Sequence, residues 1–143
     1  MTTMNIDPSV VTIAQNTIHN PANIRHFMKL KPISRQVQIV FENSVIAESR
    51  SAIRVLEVGY DFYEPVIYFP RSDVTNVLVA SNAKQTHCPL KGDATYFDLI
   101  DEDGDVRVNK IAWSYVQTFE FSSELKDMIA FDPSFVTIVE AGE

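Results

Sequence analysis

Between Thr86 and Ile100 the sequence reads THCPLKGDATYFDLI, which places His87, Cys88, Lys91 and Gly92 within six residues. Those side-chain types in that spacing support three chemistries. A thiolate at Cys88 would be a nucleophile, if a nearby cation such as Lys91, Arg54 or a remote histidine lowered its pKa from about 8.5. His87 would serve as an acid, a base or a metal ligand. Lys91 would hold an anion. The same residues also make a tight turn, with Gly92 supplying positive φ or a close backbone approach.

Elementary geometry ranks these uses. If Thr86 to Cys88 is extended, His87 and Cys88 point to opposite faces, so adjacent residues do not make a Cys–His dyad. A free cysteine is also among the most buried residue types and packs as a small hydrophobe. His87 and Lys91 are therefore preferred over Cys88 as site residues, and all three stand as catalytic candidates. Metal binding is disfavoured, because zinc takes three or four protein ligands while the chain has one Cys and three His. Two of those, His19 and His26, fall in a different N-terminal stretch. No metal and no cofactor is expected.

The elements that must hold these residues follow from the hydrophobic period. Residues 1–35 read as an N-terminal arm, punctuated by Asn16, Asn20, Pro21, Asn23 and Pro32, with a short helix over Ser9 to Ile18. From Gln36 the period becomes two. QVQIVFE is a half-buried strand, Glu42-Asn43-Ser44 its turn, and Val45 to Glu48 the returning strand. Ser51 to Val58 fits either a strand or a helical turn. Gly59 to Pro65 is a loop, VIYFP a strand ended by Pro70, and Ser72-Asp73 a cap for a short turn before Val74. ATYFDLI and VRVNKIAWSYV are strands joined at DEDGD, where Asp103-Gly104 signals a hairpin. A calcium loop fails there, since the glycine comes too early and the bidentate glutamate is missing. A short helix capped by Ser122 or Ser123 is expected over Ser122 to Asp127, and strands at MIAFD and FVTIVE close the chain. The sum is a mainly β domain over residues 36–143, built of short antiparallel strands as a sandwich or a barrel-like sheet.

Within that fold, Tyr68, Tyr96, Trp113 and Tyr115 lie on strands, with Trp113 and Tyr115 sharing one face. Strand aromatics mostly build cores, yet buried Tyr and Trp need hydrogen-bond partners, which suits a cleft lined by them. Arg54 is expected to pair with Glu57 or Asp73.

Charge narrows the partner classes. The net charge is −7 over 143 residues. Residues 1–38 carry Arg25, Lys29, Lys31 and Arg35 against Asp7, net +3, and the remainder carries 8 basic and 18 acidic residues, net −10. An acidic body repels a phosphate backbone, so nucleic acid is not an expected partner. No run reaches the ~20 apolar residues of a membrane span. The single cysteine forms no internal disulfide, and a cytoplasmic location is expected.

Four ordered motifs carry a family resemblance. IAESRSAIRVLE at 46–57, YFPRSDV at 68–74, THCPLKGDATY at 86–96 and WSY at 113–115 make residues 36–140 resemble the domain-of-unknown-function 427 family. The resemblance implies a compact, largely β fold similar in topology to methionine sulfoxide reductase B and to a small zinc-binding nucleotide-exchange chaperone. It implies no established activity. A nucleotidyltransferase label sometimes attached to the family finds no Gly-Ser pair with metal-binding aspartates and no phosphate-cradling glycine loop here. Two departures stand out: VQTF follows WSY where the family has a proline, and Ala130-Phe131-Asp132 replaces Ala-Phe-Tyr.

The expected function is binding of a small anionic or aromatic molecule in a cleft lined by Arg54, Tyr68, His87, Lys91, Tyr96, Trp113 and Tyr115. A small enzyme using Cys88 or His87, and an interaction module using the N-terminal arm, are the alternatives. Homo-oligomerisation stays open.

Overall fold

In the computed structural model, which describes Asn5 and residues 15–142, twelve strands form three antiparallel sheets. The first sheet runs β1 (Ile18–Asn20), β2 (Asn23–Ile33), β5 (Ala52–Val58) and β6 (Val66–Tyr68). The second runs β11 (Ile129–Phe131), β10 (Val106–Thr118), β9 (Gly92–Ile100) and β7 (Leu78–Ala80), with β8 (Thr86–Cys88) paired to the start of β9. The third is β12 (Thr137–Glu140), β3 (Val37–Phe41) and β4 (Ser44–Ser49). Reciprocal backbone bonds between Phe69 and Ile129 staple the first sheet to the second, each 2.8 Å. Thr75 N–H donating to Ile46 O at 2.9 Å ties in the third. The sheets pack without closing, so of the two expected architectures the closed barrel is set aside. Among the described residues no helix is long and apolar enough to cross a membrane.

The fold keeps two apolar cores. One gathers Val37, Ile39, Phe69, Ile111 and Ile129 around an edge-to-face Phe69–Phe131 pair with ring centroids 6.1 Å apart. The other gathers Met28, Val55, Tyr68, Leu90 and Leu125. Full burial of such side chains contributes about 1.5–3 kcal/mol each.

Several local expectations change. The stretch read as loops after Asn16 is instead the β1–β2 hairpin. Its asparagines make the turn, with Asn20 Oδ1 accepting from Ala22 N–H and Asn23 Oδ1 from Arg25 N–H. Pro32 is tolerated inside β2 because β1 pairs only as far as Met28, leaving one described neighbour at that point. Ile18 lies in β1, and the rest of the expected helix, save Gln15 to Thr17, lies outside the described residues. Residues 52–58 resolve as strand β5. VRVNKIAWSYV is one strand whose register slips between Val108 and Ala112, where Lys110 takes φ 55° and Asp98 Oδ1 accepts its N–H at 2.8 Å. The helix expected at Ser122 is 3-10 structure over Glu120–Leu125 with no side-chain cap. Ser122 Oγ donates instead toward Lys91 O and Phe119 O. Likewise Arg71–Asp73 is a 3-10 turn without a side-chain cap, and Asp73 accepts from Ser49 Oγ at 2.6 Å.

Candidate functional site

Strand alternation selects the side chains that meet between the first two sheets. On β5, Val55 and Glu57 share a face and oppose Leu30 and Met28 of β2, so the carboxylate of Glu57 enters beside the second core. On the facing sheet, Trp113 pairs with Tyr96 and Tyr115 with Ala94, which puts all three aromatics on the same side. Lys91 arrives from the turn between β8 and β9. Leu90, fully buried, anchors that turn in the core. Gly92 then passes so close to β10 that a Cβ would lie 2.0 Å from Gln117 O, and its φ is +116°. Both demands foreseen for this glycine are met at once, and they fix where Lys91 can point.

These residues meet at an open cavity of about 280 Å³ lined by Val66, Tyr68, Lys91, Tyr96, Trp113 and Tyr115. Lys91 is 7% exposed. Its Nζ donates to Glu57 Oε1 and lies 5.7 Å from the centre of the Tyr115 ring. The second carboxylate oxygen of Glu57 meets His26 Nε2 at 2.7 Å. Burial pulls the Glu57 carboxyl upward, but Lys91 and His26 outweigh it and hold the group below its ordinary value. Trp113 Nε1–H donates to the Tyr68 hydroxyl at 3.2 Å. Burial pushes the Tyr68 phenol strongly upward, only partly offset by the Trp113 bond, and burial pushes the Tyr115 phenol up as well. Both phenols therefore stay neutral O–H donors across the physiological range. The Tyr96 hydroxyl is hydrogen-bonded to Thr86 Oγ1 at 2.8 Å, and Lys110 Nζ sits 5.5 Å from the Tyr96 ring centre.

Of the seven binding residues expected from the sequence, Tyr68, Lys91, Tyr96, Trp113 and Tyr115 come together here. Arg54 and His87 do not. Arg54 alternates away from Val55 and pairs with Glu140 of β12, not with Glu57 or Asp73, whose carboxylates have other partners. His87 opposes Asp93 across β8–β9, bonds its Oδ1 at 2.7 Å, and stands edge-on to Phe119 with its side chain 61% exposed. The alternation that separates His87 from Cys88 thus turns Cys88 inward, half-buried and packed against the second core. His26, Glu57 and Thr86 were not foreseen as site residues. The period of two would have found Thr86, on the same side as Cys88, but nothing local marks His26 or Glu57 as partners across two strands.

A larger groove of about 710 Å³ lies at the acidic hairpin, between Phe41, Ile46 and Leu99 on one side and Asp101 to Gly104 on the other. Three of its charged side chains are already engaged. Arg107 donates to Glu42 at 2.6 Å, and Asp101 Oδ1 accepts the backbone N–H of Asp103 and Asp105. Among the described residues, Asp101, Asp103 and Asp105 bring carboxylate oxygens within 4.8 Å of one another. The Asp101 bonds account for this as the closure of the expected hairpin turn.

The sequence pattern of the domain of unknown function DUF427 matches residues 29–142. No curated protein matches the chain.

Proposed function

The chain belongs to the domain-of-unknown-function 427 family, and from that premise we propose that it binds a small planar molecule carrying a hydrogen-bond acceptor or an anionic group. The observation that carries this reading is the convergence of Tyr68, Tyr96, Trp113, Tyr115 and Lys91 from three strands and a turn onto one small cavity. A few placed polar groups among aromatic walls is the ordinary make-up of a ligand site. Ring faces supply stacking area, and the neutral phenols of Tyr68 and Tyr115 supply donors for a carbonyl or carboxylate. Lys91 adds a cation whose charge Glu57 balances. The site therefore accepts neutral aromatic ligands and anionic ones, with the anion competing for Lys91. A volume of about 280 Å³ holds one or two rings of such a ligand.

Trp113 is the only tryptophan, so its emission reports directly on the cavity. A panel of small aromatic carboxylates and their neutral amides, followed by thermal shift and Trp113 emission, tests the reading. Stabilisation that is lost in Tyr115→Phe and Tyr96→Phe supports it. A panel without any shift, or shifts that persist in both variants, defeats it.

A second reading takes the Cys88 thiol as a nucleophile, favoured by its half-buried place against the core that also holds Tyr68 of the cavity. Alkylation of the folded protein no faster than that of a free thiol would remove this reading. An unpaired cysteine also fits a reducing compartment, so the cytoplasm is the proposed location.

A further inference from the structure

We infer that the outer face of the first sheet docks a short, extended, acidic peptide segment of a partner protein. On β2 the residues Arg25, Phe27, Lys29 and Lys31 alternate with His26, Met28 and Leu30, which face the cavity and its core. The first set therefore points outward. Arg25 and Lys31 are exposed and Lys29 is half-buried. Among the described residues none of these three cations forms an ion pair. They sit on a chain whose residues beyond position 38 carry a net −10, yet they are not folded against that acidic surface. Between and beside them stand the apolar side chains of Phe27 on β2 and of Val58 and Leu56, opposite Phe27 and Lys29 on β5, all only partly covered. Past Val58, the loop projects Tyr60 at 105% and Phe62 at 83% exposure. Exposed aromatics beside unneutralised cations are the kind of surface that carries interface energy.

The spacing fits an extended occupant. Successive outward positions repeat every ~6.6 Å along a strand, so Lys29 to Lys31 spans about 7 Å and Arg25 to Lys29 about 13 Å. A strand-like segment with a carboxylate at every second residue has the same repeat. Charge decides its length and class. A long polyanion such as nucleic acid or an anionic membrane would extend past this face, onto the acidic remainder and onto Asp61 and Glu64 of the adjoining loop. Repulsion there acts within a Debye length of about 8 Å. A short peptide ends on the face. A second copy meeting it face to face would oppose like charges.

Fluorescence anisotropy of the full chain tests this, with a fluorescein-labelled dodecapeptide alternating Glu with Leu and Phe as probe. The controls are the same peptide with Ser for Glu, a twelve-nucleotide oligothymidine, and phosphatidylglycerol vesicles. Saturable binding of the acidic peptide is expected, weakened at least about tenfold in Lys29→Glu/Lys31→Glu and falling as salt rises toward ~0.3 M. Circular dichroism and thermal unfolding check that the variant folds, and Arg25→Glu alone repeats the test on a single exposed residue. Equal binding of the serine peptide, or affinity unchanged in a folded variant, overturns the inference. So does preferential binding of the oligonucleotide or vesicles, or concentration-dependent self-association that the same substitutions abolish.

Discussion

The buried ammonium of Lys91 is paired with Glu57, a residue 34 positions earlier in the chain and on the opposing sheet. This one contact ties the β8–β9 turn to β5 beside the cavity, and His26, on the other oxygen of Glu57, extends it to β2.

Removing Lys91 leaves the buried Glu57 carboxylate with His26 alone as its partner. Lys91→Met is expected to lower stability by about 3–5 kcal/mol, whereas Lys91→Met/Glu57→Leu recovers much of the loss, because both charges leave together. Urea unfolding of the four members of the cycle checks this. The pH dependence has a defined sign. Glu57 is depressed in the folded state, so its stabilisation is complete above the ordinary carboxyl value of 4.5 and is lost as pH falls through the lower folded value. The stability difference between the native chain and Glu57→Gln should shrink over that acid window, and a difference that stays constant would contradict it.

Of the five tyrosines, two should be silent in an alkaline titration of the folded protein. Tyr68 and Tyr115 have raised phenol values, so folding stability is complete below pH 10 and falls as pH rises beyond it. Absorbance at the phenolate band should show these two ionising only together with loss of tryptophan-reported structure.

Gly92→Ala combines a positive φ with a Cβ driven into Gln117 O, and a drop of roughly 3 kcal/mol or more, or failure to fold, is expected. Gly104 also has positive φ, at +84°, but open space around it, so Gly104→Ala should cost only about 1–2 kcal/mol of backbone strain. Thermal melts of the two variants separate crowding from dihedral strain.

Arg54→Ala and His87→Ala should leave ligand-induced shifts in Trp113 emission unchanged, since neither side chain lines the cavity. Stability should change by no more than about 1 kcal/mol, the usual range for partly exposed ion pairs. Loss of the ligand response in either folded variant would relocate the site.

How much could be read from the residues alone depends on how local each signal is. The sharing of a face by Trp113 and Tyr115 is a property of one strand, and it survives folding because alternation is steric. The Glu42-Asn43-Ser44 and Asp103-Gly104 turns are equally local, and both appear as hairpin connections. The β1–β2 hairpin was hidden because Asn20, Pro21 and Asn23 are turn formers on either reading, and only pairing to β5 makes an 11-residue strand of Asn23–Ile33. Pairings between distant residues carry no local mark at all. Arg54 was expected to pair with Glu57 or Asp73, and its pairing with Glu140 instead depends on the third sheet lying beside β5, which no window of sequence contains.

The unclosed arrangement has a bearing on solubility. β12 is an outer strand whose Ile138 and Val139 are 38% and 42% exposed, the kind of edge that recruits foreign strands into aggregates. It spans four residues and ends at Glu140, with Arg54 and Arg35 gathered around that carboxylate. So short a template, closed by a knot of charge, offers an incoming chain few backbone bonds. The molecule keeps its edge harmless by brevity, and lengthening β12 with uncharged β-branched residues would convert it into a nucleus for precipitation.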